Sequence, residues 1–261
     1  MHEGGDRARP QGARRPRRQR SRCVRRDRGQ GQVRARQLIT SRDNERLKLL
    51  RKLHDRRWRD KLGLFAVEGE DLVEAGLAAG LEPTDVLVAG EDVEAELLAE
   101  VSSLAHPPRV VAIFHREGLP KGTRPRTLAL WHVADPGNVG TLVRAADAFG
   151  AGIALSDGCA DPTGPKALRA SMGSVFRVPL SGFDEPSGRR VALVAHGGTS
   201  LPELAAAGDV VLVLGAEREG LPEDVLARCA ERVSIPQAGG GESLNVAMAG
   251  AIALYELARS G

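Results

Sequence analysis

The residues best placed to do chemistry lie in three stretches of the C-terminal half. They are Asp135-Pro-Gly-Asn-Val-Gly-Thr-Leu-Val-Arg144, Leu214-Gly-Ala-Glu-Arg-Glu-Gly-Leu221 and Ile235-Pro-Gln-Ala-Gly-Gly-Gly-Glu-Ser-Leu-Asn-Val246. Each follows an apolar run that reads as a buried strand, and each precedes a helical pattern. Three loops bearing Gly, Asn and Ser therefore sit at strand C-terminal ends, where open α/β sheets bind ligands, and together they point to one composite site. The chemistry open to such a set is binding and positioning. The His residues are scattered, no CxxC or metal-ligand spacing occurs, and no metal is expected. Cys159 and Cys229 read as fillers of small apolar spaces. No GxGxxG follows the first strand of this half, which argues against a dinucleotide-binding unit, and no phosphate-cradling loop stands in its place.

The elements that must carry these loops are legible from periodicity. From Thr127 onward strands and helices alternate: strand 128–133, helix 139–149, strand 152–156, helix 165–173, strands 191–195 and 210–214, helix 222–229, strand 232–235 and helix 243–258. Continuous apolar runs such as Val210-Val-Leu-Val-Leu214 fit strands buried on both faces, hence a mostly parallel sheet. Residues 38–117 read as a smaller α/β domain. One amphipathic helix there starts at Leu47, Leu50 and Leu53 and carries a basic face of Arg46, Arg51, Lys52, Arg56 and Arg57. Strand 64–67, a helix through Leu72, Val73 and Leu77, strand 85–89, helix 93–104 and strand 109–113 complete it. Pro and Gly in 118–126 interrupt both periodicities and mark a linker before a domain spanning 127–261.

The final helix is apolar nearly all round. One stripe holds Leu244, Ala247, Met248, Ala251, Ile252 and Tyr255; the other holds Val246, Ala249, Gly250, Ala253 and Leu257. A helix without a polar face needs cover on both sides. The small residues of the second stripe would let another helix approach closely, so a homodimer contact is expected there.

Charge is unevenly distributed over the 261 residues. Residues 1–37 hold thirteen Arg against Glu3, Asp6 and Asp27, which leaves 24 basic and 31 acidic groups for the rest. The tail has too few large apolar groups to offset ordering entropy and reads as disordered. A second basic stretch, Arg42 to Lys61, has nine Lys/Arg against four acids. Basic character confined to the N-terminal quarter fits a polyanion held at one end. No apolar run is long enough to cross a bilayer. Sparse cysteines and the lack of an apolar segment after the arginines suggest a cytoplasmic protein.

At its three motifs the chain resembles the SpoU/TrmH family of RNA ribose 2′-O-methyltransferases, within the SPOUT superfamily. The resemblance covers residues 38–261. It takes in Asp161-Pro-Thr-Gly-Pro-Lys-Ala-Leu-Arg-Ala-Ser171 and, in the smaller domain, Phe65-Ala-Val-Glu-Gly-Glu70, which is similar to the family's RNA-binding module. The resemblance implies a C-terminal sheet tied in a deep trefoil knot, an exception to the usual avoidance of threading. It also implies S-adenosyl-L-methionine bent within the knot, an obligate dimer, and transfer of a methyl group to a ribose 2′-OH. The separate N-terminal domain leans towards 23S rRNA over tRNA by analogy. A silent RNA-binding or ribosome-assembly factor is the competing reading.

Carried over by position, the cofactor loops are Leu214–Gly220 and Ile235–Val246. Main-chain groups at Gly215, Ile235 and Leu244 would contact the cofactor, with Leu214, Gly220, Pro236 and Asn245 beside them. Asn138, Arg144, Glu217, Ser243 and Asn245 match the family's polar active-site positions. Arg46, Arg51, Arg56, Arg57, Lys166 and Arg169 are the expected RNA contacts. Plainer roles compete at each. Arg144 falls opposite the apolar stripe Val139, Leu142, Val143 and Ala146 and could be simply solvated. Asn138 and Ser243 could be N-caps, Glu217 a turn residue, and Lys166 and Arg169 surface charges. Asn245 is the hardest to explain without function. The second loop departs from the family's usual Gly-Asn-Glu-Gly, reading Gly215-Ala-Glu-Arg218.

Overall fold

The computed structural model describes residues 37–204, 208–216, 219–239 and 243–259. The expected disorder of the Arg-rich tail concerns residues outside these, apart from Gln37.

Helix α1 (Glu45–Leu53) starts where the Asn44 side chain accepts a hydrogen bond from the Arg46 amide at 3.0 Å, and it buries Leu47, Leu50 and Leu53. The single basic helix expected through Arg57 is in fact two. The chain breaks at His54, and the Asp55 side chain caps α2 (Arg56–Leu62) by accepting from the Arg57 amide at 2.9 Å. An Asp able to satisfy an orphan amide favours a new helix start over continuation. Gly63 then ends α2 in a left-handed conformation.

Strand β1 (Leu64–Glu68), helix α3 (Glu70–Ala78), β2 (Pro83–Val88), α4 (Ala95–Val101) and β3 (Val110–His115) follow. They form an antiparallel sheet in the order β1-β3-β2, with Phe65 opposite Phe114. Alternation along the strands splits the side chains between two cores. Ala66, Leu87, Val111 and Ile113 face α1 and α4. Phe65, Val67, Ala112 and Phe114 enter the main core, where Phe65, Phe114 and Phe176 have ring centres 6.0–6.3 Å apart.

The second sheet runs through β4 (Arg126–Leu130), β5 (Gly152–Leu155), β6 (Leu180–Gly182), β7 (Arg189–Val194), β8 (Thr199–Ser200), β9 (Val210–Leu214) and β10 (Glu231–Ser234). Its order is β6-β5-β4-β9-β7-β10-β8, and every described pairing is parallel. Helices α5 (Pro136–Ala148), α6 (Pro165–Ser171), α7 (Glu223–Leu226) and α8 (Val246–Arg259) connect or cover it. Strand β9 is buried along its whole length, as its unbroken apolar run requires.

The structure corrects several expectations. Strand β4 ends at Leu130, not 133, because His132 adopts a left-handed φ of 53° that turns the chain out of the sheet. Strands β6 and β8 are too short for a period to reveal them. Helix α7 shrinks to one turn. The 118–126 segment is docked along the sheet edge: Leu119 is buried, and Leu180 donates to the Pro120 carbonyl at 3.0 Å.

The stripes of α8 are also reversed. Val246, Gly250, Ala253 and Leu257 face inward, and a Cβ on Gly250 would lie 2.4 Å from Leu142 Cδ2. The small residues let α8 settle on α5 and the sheet of its own chain. The other stripe leaves Met248, Ile252 and Tyr255 exposed.

A buried ionic cluster joins the two sheets' elements. The Arg59 and Asp161 side chains are only 5% and 2% exposed and meet at 2.7 Å. The same arginine donates to the Leu53 and His54 carbonyls at 2.8 and 2.9 Å. Asp161 also accepts from Arg116 at 2.8 Å and from the Thr163 amide and hydroxyl. Burial pushes the Asp161 carboxyl up, but Arg116, Thr163 and Arg59 together outweigh it and hold it below the ordinary carboxylate range.

Candidate active site

Parallel register places the three motif loops on one edge. Leu130 pairs with Leu214, Leu214 with Leu193, and Val194 with Ser234, so the chain leaves β4, β9 and β10 on the same side of the sheet. The single composite site read from the sequence has this physical basis.

The first loop enters α5 through Asp135-Pro136, an N-cap followed by proline in the first turn. The Asp135 side chain accepts from the Asn138 amide at 3.0 Å. Asn138 is therefore not the cap. Its side-chain oxygen accepts a hydrogen bond from the Asn245 amide group at 3.1 Å, across 107 residues of sequence. Asn245 in turn caps α8: its Oδ1 accepts from the Ala247 and Met248 amides at 2.9 and 3.3 Å. The cap expected of Ser243 thus belongs to Asn245, and Ser243 stands exposed in the preceding loop. One amide side chain fastens the last helix and, with its other end, ties it to the first motif.

Arg144 lies one and a half turns further along α5, exposed on the face away from Val139, Leu142, Val143 and Ala146. It has no hydrogen bond or ion pair with the described residues. The guanidinium is left available to something outside the chain.

Among its described residues, the second loop is held by main chain. Gly220, with φ at 66°, donates to the Ala216 carbonyl at 3.0 Å. A Cβ on Gly215 would come within 2.3 Å of the Gly220 carbonyl, so only glycine permits this turn. Leu214 is buried and its carbonyl accepts from the Trp131 amide at 2.8 Å, which ties the second loop's root to the first. Glu217 and Arg218 lie outside the described residues. In the third loop Ile235 and Leu244 are half-buried and Pro236 is exposed.

The expected RNA-contacting residues divide. Arg46 is committed to Asp85, with its Nε at 2.6 Å from Oδ2, and to the Val86 carbonyl at 3.0 Å. Arg56 donates to the Cys159 carbonyl at 2.8 Å and lies near Asp60. Lys166 bonds Asp135 at 2.7 Å, and this contact together with the Asn138 amide lowers the Asp135 carboxyl. Arg169 donates to the Ser103 hydroxyl at 3.0 Å. Arg51 donates to the Arg42 carbonyl and stays exposed, and Arg57 is exposed. Sequence reasoning passed over Asp135 and Asp161 as individuals. Asp before Pro at a helix start was the signal available for the first; nothing local marks the second.

Residues 125–255 match the model of the SpoU rRNA methylase family. The chain belongs to that family. Residues 44–113 match the MRM3-like substrate binding domain, which coincides with the β1-β3-β2 sheet and its helices. An uncharacterised tRNA/rRNA methyltransferase of Synechocystis is 34% identical over 85% of this chain and 93% of its own. The 23S rRNA (guanosine(2553)-2′-O)-methyltransferase RlmP of Bacillus subtilis is 32% identical over 84% of this chain and 98% of its own. Among solved structures, an AdoMet-bound rRNA methyltransferase of Sinorhizobium meliloti superposes with a TM-score of 0.76 at 30% identity, covering 85% of this chain and 97% of that one. Asn138, Arg144 and Asn245 lie in the matched region, as do Leu214–Gly220 and Ile235–Val246, the loops expected to hold a cofactor.

Proposed function

We propose that the chain transfers a methyl group from S-adenosyl-L-methionine to a ribose 2′-OH of structured RNA, with 23S rRNA as the favoured substrate over tRNA. The observation that carries the reading is the 3.1 Å contact of Asn138 with Asn245, which joins two motif loops at the start of the helix that carries the exposed Arg144, a residue with no partner among the described residues.

When bound, S-adenosyl-L-methionine supplies an electrophilic methyl group. The residues present fit such a ligand. Gly215 permits the tight turn against Gly220 that brings main-chain groups to this edge, and Ile235 and Leu244 offer half-buried apolar surface across it. Asn138 and Asn245 fix the two loops relative to one another and so hold the reacting groups in line. Alignment of this kind contributes about 7–11 kcal/mol in favourable intramolecular models. Arg144 binds an RNA phosphate and polarises the hydroxyl. A guanidinium stays protonated at any working pH, so solvent or the phosphate takes the proton. Glu217 and Ser243 complete the polar set, and the Leu214–Gly220 and Ile235–Val246 loops belong to a trefoil knot.

The protein works as a homodimer in the cytoplasm. The exposed Met248, Ile252 and Tyr255 on α8, the last packed edge-on to Phe149 at 6.3 Å, support a second copy covering this side.

Tritiated methyl transfer from S-adenosyl-L-methionine to RNA from a deletion strain tests the reading, with wild type and Arg144→Ala side by side. Incorporation into large-subunit rRNA that is lost in the variant supports it. No incorporation into any RNA, with RNA binding intact, favours a silent RNA-binding factor.

A further inference from the structure

The break between α1 and α2 has brought together side chains that one continuous helix would separate. Lys52 lies near the end of α1 and Lys61 near the end of α2. Nine residues of unbroken helix would hold them roughly 13 Å apart along the axis. Instead both ammonium groups sit over the Trp58 ring, at 5.1 and 5.0 Å from its centre. They are therefore within about 10 Å of each other, roughly one Debye length at 0.1 M salt, and repel.

The surrounding charges sharpen the contrast. Arg42, Arg46, Lys48, Arg56, Arg59 and Arg116 each have a carboxylate partner. Asp55 caps α2, and Asp60 is shared by Arg56 and Arg116. Arg51, Lys52, Arg57 and Lys61 have no carboxylate partner among the described residues, and Arg51 donates only to the Arg42 carbonyl. Two of these four cations, Lys52 and Lys61, sit over a half-exposed indole, one of only two tryptophans in the sequence. A solvated basic face needs no tryptophan. A purely structural tryptophan needs no pair of uncompensated lysines over it.

We propose that Lys52, Trp58 and Lys61, flanked by Arg57, form the RNA-gripping surface of the N-terminal module. An unpaired base displaces an ammonium group from the indole face and stacks there, and the displaced ammonium and the neighbouring cations take the adjoining phosphates. This rests on the RNA methyltransferase reading and moves its RNA contacts away from Arg46 and Arg56, whose bonds within the chain occupy them. Stacking on an aromatic ring tolerates any base, and the phosphate contacts are equally indifferent to sequence. The surface supplies grip, and selection of the nucleotide falls to the catalytic edge.

Filter binding of the full chain to an unmodified bacterial 23S rRNA transcript, at several KCl concentrations, tests this. Lys52→Gln/Lys61→Gln is expected to make the plot of log K against log[salt] shallower by about 1.5. Trp58→Leu is expected to weaken binding about 5- to 100-fold with the salt slope kept. S-adenosyl-L-methionine affinity, by calorimetry, stays at the wild-type value in both. Wild type that binds while both variants match it in affinity and slope overturns the proposal alone. Wild type that binds no RNA overturns the methyltransferase reading and takes this proposal with it.

Discussion

Arg59 and Arg144 bracket the physics of this molecule. Arg59 is buried at the junction of the two sheets' elements, with Asp161 and two carbonyls satisfying it. Arg144 is exposed on α5 and meets nothing among the described residues. Arg59 follows Arg56 and Arg57 in a basic run and Arg144 stands alone on its helix, yet nothing local marks Arg59 as the buried one. The difference teaches that a fully satisfied buried charge serves architecture, whereas an exposed one with no partner among the described residues adds nothing to the packing of its own chain.

Breaking the junction should give the largest effect. Asp161→Ala strands Arg59 without its carboxylate, and loss of one partner of a buried pair costs about 3–5 kcal/mol. Chemical denaturation should show that loss, whereas the same measurement on Arg144→Ala should lie within about 0.5 kcal/mol of wild type. Activity should invert the order: Arg144→Ala should lower methyl transfer by roughly 100-fold or more, the scale of losing one charge-stabilising donor.

A smaller effect distinguishes the two faces of α8. Gly250→Val drives a side chain into Leu142 and should destabilise by about 1–3 kcal/mol. Tyr255→Ser, on the exposed stripe, should cost the protomer little beyond its edge contact with Phe149 and instead raise the concentration at which ultracentrifugation detects a dimer. Destabilisation of the protomer by Tyr255→Ser and not by Gly250→Val would restore the stripe assignment first read from the sequence.

The smallest effect is in acid. Asp161 and Glu68 both have carboxyls held below their ordinary range. Burial pushes each up, but Arg116, Thr163 and Arg59 overcome it at Asp161, and His54, Ser102 and Ser103 at Glu68. A folded value below the unfolded one gives stability that is complete above the ordinary values of 3.8 and 4.5 and is lost as pH falls through the depressed ones. Asp161→Asn should flatten the denaturation midpoint against pH below about pH 4, and a wild-type midpoint indifferent to acid there would contradict the account.

Much of this was legible in the sequence because the relevant signals are local. The run Val210 to Leu214 declared a strand buried on both faces, and the three motif loops declared one sheet edge. Arg144's exposure followed from its place opposite the apolar stripe of α5. What sequence missed depends on contacts across the fold. Asp55 broke a helix that periodicity would have continued. Gly250 is small for the sake of Leu142, not a second chain. Asn245 caps α8 while its far end meets Asn138, a pairing that spacing cannot reveal. Lys166, expected at the RNA, also pairs with Asp135 at 2.7 Å, a contact that spacing does not show.

Nucleoside mass spectrometry of unmodified 23S rRNA, incubated with S-adenosyl-L-methionine and either wild type or Arg144→Ala, tests the central claim most directly. The account predicts one ribose 2′-O-methylated nucleoside with wild type and almost none with the equally stable variant. A methyl group on a base, or undiminished ribose methylation by Arg144→Ala, would contradict it.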